Sequence, residues 1–311
     1  MSKYSKKNMI RGIIQCANAK NLSQILTEGW IKTENDVDYW LETAHQMNNV
    51  SPEIITLLME KKNTFSQKKS PSFDNFSLDE KPMTVQELKK IWGTKKNEDG
   101  TLTITSYKGL STIVVIPEMI GRSRVTAIDS ETFSPIATHI TDAQKSTRRS
   151  IESVEIPGSI EFIPDELFGN IGHHDNNRND SIKTIKLRNG IKEIGNQAFA
   201  GTSISSIIIP PSVRKIGSYV FSGCKYLTNV IWPNEISEIP SGTFAYCSAF
   251  KDFIIPETVK SIGSSAFANT ALEKIIIPAS VREMGSDMFS GCKHLTNVIW
   301  PDKVLEIPLM M

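Results

Sequence analysis

One sequence pattern recurs every 22 or 23 residues between about residues 204 and 301. Each copy has a hydrophobic run that ends in proline, then a Val/Ile pair, then a phenylalanine and a small residue or cysteine. A fixed period of this length is typical of a solenoid, in which each unit buries its apolar face only by stacking on its neighbours. The prolines are Pro210, Pro233, Pro256, Pro278 and Pro301, and the phenylalanines are Phe221, Phe244, Phe267 and Phe289.

Each repeat is predicted to form one coil with two short extended pieces and a turn that carries the phenylalanine. In the segment 230–232 the period is two, so Val230 and Trp232 point one way and Ile231 points the other. Stacked coils then form a parallel β-sheet along one side. The corner after the second isoleucine carries glycine at Gly217 but proline at Pro240. Because proline locks φ near about −65°, this corner requires a turn and no positive φ.

The consensus of these repeats is L-x-x-I-x-I-P-x-S-V-x-x-I-G-x-x-A-F-x-x-C, and it resembles the BspA-like, or treponemal-type, leucine-rich repeats. The match covers roughly residues 101–308 and is carried by ALEKIIIPASVREMGSDMFSGCKHL and SIKTIKLRNGIKEIGNQAFAGTSI. The stretch VQELKKIWGTKKNEDGTLTITSYKG is similar to the segment that precedes such repeats in gut-bacterial proteins. The resemblance implies a leucine-rich-repeat solenoid and a role in adhesion or host-protein binding.

Three regions are expected along the chain. Residues 1–63 have helical periodicity and are predicted to form a small α-helical domain that ends in an αα-hairpin. Residues 64–82 are rich in Ser, Lys and Pro without periodicity, which is typical of a linker. Residues 83–311 hold the solenoid and a lead-in, where Thr84 and Glu87 predict a helix capping box. The predicted fold class is α+β, a leucine-rich-repeat solenoid with a parallel β-sheet on one side, preceded by the helical domain.

Two insertions lengthen the early repeats, near residues 136–149 and 171–180. Insertions of this kind in solenoids form surface loops. The first carries Lys145, Arg148 and Arg149, which we interpret as a local basic spot on the surface rather than a face for nucleic acid.

The second insertion clusters His173, His174, Asp175 and Asp180 and so raises the alternative of a metal site. Adjacent histidines do not present both rings to one ion from a regular element, and the ligand spacing is not a standard one. The chain also has no Gly-rich phosphate loop and no G-x-S-x-G, H-E-x-x-H or C-x-x-C motif. We therefore expect a non-catalytic protein without metal or cofactor.

Charge and hydropathy limit the partners further. The formal net charge is +1, from 35 basic and 34 acidic residues, so no overall field favours nucleic acid or anionic lipid. No segment approaches the roughly 18–20 apolar residues that cross a bilayer, and the first residues lack an apolar run of signal-peptide length. We expect a cytoplasmic protein, with a cell-surface or secreted location as the alternative.

Three cysteines occupy one position of the repeat. They are Cys224, Cys247 and Cys292, and Thr270 fills the same place in a fourth copy. A disulfide framework would not accept threonine so readily. We predict buried thiols that satisfy the backbone of the coil.

One outward strand position holds Glu155 and Lys186 in early repeats and isoleucine in the next five. At about 4.8 Å per coil the isoleucines make a stripe close to 20 Å long. Two interpretations stay open, a cross-strand ladder that stabilises the sheet or a concave groove for a protein partner. The candidate binding residues are Ile208, Ile231, Ile254, Ile276 and Ile299.

Residues 207–240 and 275–308 agree at 24 of 34 positions, which indicates duplication of a three-repeat block. In the second copy Pro308 is not followed by the expected phenylalanine, so Val298–Trp300 is predicted to be an open edge strand. Such an edge templates pairing with another chain, and it predicts self-association or continuation in a longer array.

The function that these features favour is a non-catalytic leucine-rich-repeat module that mediates protein–protein interaction. The alternative is a surface or glycan-binding, adhesin-like protein.

Overall fold

A computed structural model describes residues 58, 59, 61, 83–134, 141–169, 180–233 and 235–300. The chain separates into two compact units, Met1–Lys81 and Pro82–Met311, and each is described by itself. In the first unit Leu58, Met59 and Lys61 are helical, while the rest of the predicted helical domain and linker lies outside the described residues. Among the described helices, none has the length and apolar character that a membrane span needs.

The second unit begins with a capped helix. Helix α1 (Val85–Ile91) starts after Thr84, whose hydroxyl accepts from the Glu87 backbone N–H at 3.3 Å. The Glu87 carboxylate in turn accepts from the Thr84 N–H at 2.7 Å. The predicted capping box is therefore confirmed.

A small sheet follows the helix and closes one end of the core. Strands β1 (Trp92–Lys96) and β2 (Leu102–Tyr107) pair antiparallel. Strand β3 (Ile113–Val115) follows, then β4 (Met119–Ile120) pairs antiparallel with β5 (Ser123–Ile128), and β5 pairs parallel with β2. The buried rings of Trp92 and Tyr107, with centroids 5.0 Å apart, both contact Phe133 of a short 3-10 helix, Ser130–Phe133.

The first parallel ladder of the solenoid is built from the strands that precede the proline turn. One part joins β3 to β6 (Ser153–Ile156) and β8 (Thr184–Leu187), all parallel. Further along, β10 (Ser206–Ile208) pairs with β12 (Asn229–Ile231), and a single bridge joins Ile254 to Ile276. Strands β15 (Lys274–Ile276) and β17 (Asn297–Ile299) complete it. Its pairings fall into three separate parallel groups, which together correspond to the predicted parallel sheet along one side.

A second parallel ladder consists of two-residue strands and corresponds to the second extended piece of each coil. Its pairing follows the order of the repeats in two three-stranded groups. The members are β7 (Phe162–Ile163), β9 (Glu193–Ile194), β11 (Lys215–Ile216), β13 (Glu238–Ile239), β14 (Ser261–Ile262) and β16 (Glu283–Met284).

The repeat phenylalanines form one continuous stack inside the solenoid. Successive ring centroids lie 5.1–6.3 Å apart with interplanar angles of 12–28°. Each inner ring of the stack is therefore buried by the coils before and after it, as the period predicts, while Phe289 is partly buried. The stacked residues are Phe133, Phe168, Phe199, Phe221, Phe244, Phe267 and Phe289.

The backbone on the phenylalanine side is held by coil-to-coil hydrogen bonds. Alternate N–H groups donate to the carbonyls of the next coil, as in Tyr219 to Ser241, Phe221 to Thr243 and Gly223 to Ala245, at 2.8–3.0 Å. The residues two before and two after the phenylalanine adopt positive φ: Tyr219 has +58° and Gly223 has +73°. Bulky residues rarely adopt this conformation, so the coil geometry overrides local preference at Tyr219.

The corner glycines behave as predicted. Gly217 and Gly263 do not have positive φ, so the corner requires only a turn. They are small because coils approach closely there: a Cβ on Gly263 would lie 2.3 Å from the Ser241 backbone nitrogen.

Arg148 corrects part of the interpretation of the first insertion as a surface basic spot, since Arg149 is exposed and Lys145 is partly exposed but Arg148 is not. Within helix α2 (Asp142–Arg149) its side chain is fully buried. Its Nε and Nη2 donate to the Tyr107 carbonyl at 3.0 and 2.8 Å, and its Nη1 donates to the Ser134 carbonyl at 2.6 Å. Burial lowers the pKa of Arg148, and the nearby Glu131 charge opposes that shift. These three hydrogen bonds attach the insertion to the core.

Candidate functional site

The five isoleucines of the candidate site occupy the same repeat position of the first ladder, and they pair in two separate groups. Ile208 is the direct partner of Ile231, Ile254 is bridged to Ile276, and Ile276 is the partner of Ile299. Residues in register on parallel strands project from the same face of the sheet. We call these five residues the isoleucine column.

Exposure is uneven along the isoleucine column. Ile208, Ile276 and Ile299 are 37%, 48% and 38% exposed, and Ile254 is partly buried. Ile231 is only 7% exposed, so its side chain is covered. The column therefore offers apolar surface at every position except Ile231.

The same strand position is charged in two of the earlier repeats, at Glu155 and Lys186. Val115 is the register partner of Glu155, and Glu155 is the partner of Lys186. The buried Glu155 carboxylate pairs with Arg188 and lies 3.7 Å from the Lys186 ammonium nitrogen. Arg188 stands where the other repeats have the turn proline. Two cations therefore share one carboxylate.

A polar column runs beside the isoleucine column on the same face. It lies two residues earlier in each strand, and the period of two puts it on the same side of the sheet. Its side chains are exposed or partly exposed. They are Ser206, Asn229, Asp252, Lys274 and Asn297. The face thus combines a narrow apolar line with a polar border, an arrangement that protein interfaces also have.

The cysteine position satisfies backbone carbonyls of the phenylalanine turn. Cys224 Sγ donates to the Phe199 carbonyl of the preceding coil at 3.2 Å. Cys247 and Cys292 repeat this bond at 3.1 and 3.0 Å, while the Thr270 hydroxyl bonds a phenylalanine carbonyl of its own coil at 2.8 Å. All three cysteines are free thiols, and Cys224 and Cys247 are buried as predicted, whereas Cys292 is only partly buried; Cys16 lies outside the described residues.

The thiols of Cys224 and Cys247 are poorly suited to nucleophilic chemistry. Burial raises the pKa of Cys224 to about 12 and raises that of Cys247 well above its ordinary value. The thiolate is the reactive form, so both side chains are inert at neutral pH.

The remaining candidate features fall partly outside the described residues. This holds for His173, His174 and Asp175, and the described portion of the chain contains no group of three or more His, Cys, Asp or Glu that could hold a metal ion. Strand β17 pairs with β15 on one side, and residues 301–311 lie outside the description. Self-association through this edge therefore stays a prediction.

Sequence reasoning missed two exposed tyrosines on the phenylalanine side, Tyr219 and Tyr246, both with positive φ. A signal was present, since glycine occupies one of their positions at Gly201, Gly223 and Gly291. Glycine is the default residue at positive φ, and its recurrence two residues after phenylalanine indicates that conformation.

The stacked coils, the two parallel ladders and the internal phenylalanine stack define a leucine-rich-repeat solenoid. The chain belongs to the BspA type leucine rich repeat family: six copies of the family's repeat region match over residues 138–228 and 171–296, just over half of the chain. No curated protein matches the chain significantly.

Solved structures with the same repeat are similar to this chain. The leucine-rich repeat protein of Treponema pallidum is 27% identical, with a TM-score of 0.54 over 68% of this chain and 89% of that chain. A leucine-rich repeat protein from Bacteroides ovatus is 20% identical, with a TM-score of 0.45 over 67% of this chain and 69% of that one.

Proposed function

We propose that this chain is a non-catalytic binding module. It holds a protein partner on the face of the first ladder from which the isoleucine column projects, which we call the first-ladder face. The repeat family suggests a protein-interaction module. The observation that carries the proposal is the exposure of Ile208, Ile276 and Ile299, which occupy the same repeat position of the first ladder. A line of exposed aliphatic side chains with a polar border gains free energy when a partner covers it.

The competing interpretation is that the isoleucine column serves only the sheet. Cross-strand β-branched pairs contribute about 0.2–1 kcal/mol each, whether or not a partner is present. The two interpretations differ in what happens when the exposed members are made polar. A purely structural ladder loses stability and nothing else, whereas a binding face loses its partner while the fold is kept.

The test replaces Ile208, Ile276 and Ile299 together with lysine. Ile231 is left intact because it is covered, and a lysine there would bury a charge. A matched control places lysine at three exposed sites away from the column, Ser237, Ala279 and Ser290, and adds the same charge. Crosslinking with mass spectrometry in native cells then identifies what each variant contacts, and thermal unfolding monitors the fold.

We expect the column variant to be folded, with a cooperative thermal unfolding transition. We also expect it to lose a stoichiometric protein partner that the control variant keeps. If the folded column variant keeps the partner, the proposed binding face is wrong. If the column variant unfolds while the control is stable, the isoleucines are structural.

The cytoplasmic location expected from the sequence stays a prediction, and fractionation of the native cells tests it. Recovery at the cell surface together with glycan binding would instead favour the adhesin-like alternative.

A further inference from the structure

We propose that the coil carrying Pro240 is a joint built into the solenoid, at which the repeats before and after it move as two blocks. This coil consists of β12, β13 and the turn of Phe244. The proposal concerns the conformation of the solenoid and goes beyond the proposed function, because it holds whether or not the first-ladder face binds a partner.

The residue at the corner decides whether a coil joins the second ladder. Where the corner is glycine, its N–H donates to an isoleucine carbonyl of the preceding coil at 2.7–2.8 Å. The residue three positions before the glycine also donates its N–H to the preceding coil, at 2.7 Å. The glycines are Gly195, Gly217, Gly263 and Gly285, and the residues three before them are Lys192, Arg214, Lys260 and Arg282.

The two proline corners, Pro164 and Pro240, make neither bond. Among the described residues, no backbone hydrogen bond joins Glu161 or Ser237 to the preceding coil, although both stand three positions before a proline corner. In the described coils β5 does not pair with β7, and β11 does not pair with β13. The second ladder is therefore interrupted immediately before each proline coil and nowhere between two glycine coils.

Proline interrupts the second ladder for two physical reasons. It has no N–H, so Pro240 cannot donate to the Ile216 carbonyl as a glycine would. It also carries a Cβ, and at the glycine corners a Cβ would lie only 2.2–2.5 Å from a backbone nitrogen of the preceding coil. Since no Cβ approaches a backbone atom that closely, a proline corner must stand further from the coil before it.

The first ladder is interrupted on the opposite side of the same coil. Strand β12 pairs with β10 of the preceding coil but with no strand in the described part of the following coil. Two buried aromatic side chains, Trp232 and Phe253, meet at this interruption with ring centroids 6.3 Å apart. We attribute the interruption to the volume of these rings, because their counterparts in the neighbouring coils are aliphatic. Those counterparts are Ile209, Val230, Ile255 and Ile275.

The Pro240 coil is therefore joined to each neighbour by one ladder only, the first ladder before it and the second ladder after it. The phenylalanine side is continuous across both interfaces. The Phe221 N–H donates to the Thr243 carbonyl at 3.0 Å. The Phe244 N–H donates to the Ala266 carbonyl at 2.8 Å. Each interface can thus open on the side of its interrupted ladder, with the phenylalanine side as the hinge.

The first experiment measures native-state amide hydrogen exchange of the full-length protein at rising urea concentrations. Amides that open in the same event share one urea dependence. We expect the second-ladder amides before and after the joint to form two groups with different urea dependences, and a single dependence for all of them would overturn the joint. The first group is Lys192, Gly195, Arg214 and Gly217, and the second group is Lys260, Gly263, Arg282 and Gly285.

The second experiment closes the gap in the second ladder. Pro240→Gly supplies the missing N–H and removes the Cβ, so the Ser237 amide gains an acceptor in the preceding coil. We expect exchange of the Ser237 amide to slow by about 2- to 13-fold, the effect of one backbone hydrogen bond. The urea dependences of the two groups should also converge.

Pro211→Gly is the matched control. Pro211 is exposed in the preceding coil, so its replacement changes the unfolded chain in the same way but adds no N–H at a corner. We expect the two groups of amides to stay distinct in this variant. The same exchange pattern in both variants would show that the proline corner does not separate the blocks, and the proposal would be wrong.

The reverse substitution is an independent check. Gly217→Pro, made in the Pro240→Gly chain, removes the 2.8 Å hydrogen bond to the Ile194 carbonyl. The fold already accepts proline at this corner in two coils, and we expect the boundary between the groups to move one coil toward the N-terminus. A boundary that neither substitution moves would also overturn the joint.

Discussion

Residues 207–240 and 275–308 are similar in sequence, yet side chains at equivalent positions of their described parts have different surroundings. In the first copy Phe221, Leu227 and Trp232 are buried. Their counterparts in the second copy, Phe289, Leu295 and Trp300, are only partly buried. The same side chain is therefore core in one copy and half surface in the other.

The difference shows that burial in this fold is supplied by the coil that follows. Phe221 stacks between Phe199 and Phe244, with both centroid distances 5.8 Å. Among the described residues Phe289 stacks on Phe267 alone. Each repeat contributes one face of a residue's environment, which is the nearest-neighbour behaviour expected of a solenoid.

The largest expected effect is at the phenylalanine stack. Phe221→Ala should lower the free energy of unfolding by about 3–5 kcal/mol, because it empties a fully enclosed site. Phe289→Ala should cost clearly less, because its ring is already partly exposed. Urea denaturation of the two variants measures the difference. Equal losses would mean that Phe289 is as well enclosed as Phe221.

A second pair sharpens the comparison on the ladder face. Ile231→Ala should cost about 2 kcal/mol, at the low end for a covered aliphatic side chain. Ile299→Ala should cost about 0.5 kcal/mol, as is usual for a surface site. The same denaturation experiment applies, and a larger loss at Ile299 would contradict the exposures described.

The ionisation of Cys224 predicts a smaller, pH-dependent effect on the free energy of unfolding. Burial raises the pKa of this thiol from 9.0 to about 12, while in the unfolded chain it ionises near the ordinary value. Its contribution to stability is therefore complete below about pH 9 and is lost as the pH rises toward 12, at up to about 1.4 kcal/mol per pH unit.

Cys224→Thr is the natural comparison, because threonine occupies this position at Thr270 and does not ionise in this range. Urea unfolding at pH 8, 9 and 10 should show a steeper decline for wild type than for the variant. Parallel declines would show that the thiol is not the titrating group.

The last prediction concerns the rate at which each thiol is labelled and involves no change in stability. In a Cys16→Ser background, iodoacetamide should label Cys292 in the native protein while Cys224 and Cys247 react only on unfolding, because Cys292 alone is partly exposed. Mass spectrometry of the digested protein reads out each site. Labelling of Cys224 at the rate of Cys292 would contradict the difference in burial between the two thiols.

The features that repeat were predictable from sequence, and those that depend on one particular contact were not. The phenylalanine stack and the cysteine bonds follow from period and substitution pattern, since the same requirement recurs in each coil. The burial of Arg148 comes from a single insertion, and the covering of Ile231 distinguishes it from four residues of identical type. The positive φ at Tyr219 is imposed by hydrogen bonds to the next coil, which local propensity does not record.

The buried Arg148 changes what a shortened version of this protein would be. Deleting residues 136–149 would bring the first repeats closer to the common length, and by sequence alone the product would look more regular. The deletion would also remove the three N–H groups that Arg148 donates to the Tyr107 and Ser134 carbonyls. Buried acceptors without donors cost about 1–3 kcal/mol each, so the more regular chain would be the less stable one. The insertion therefore stabilises this solenoid, and a regular repeat length in the sequence does not show which residues can be deleted without loss of stability.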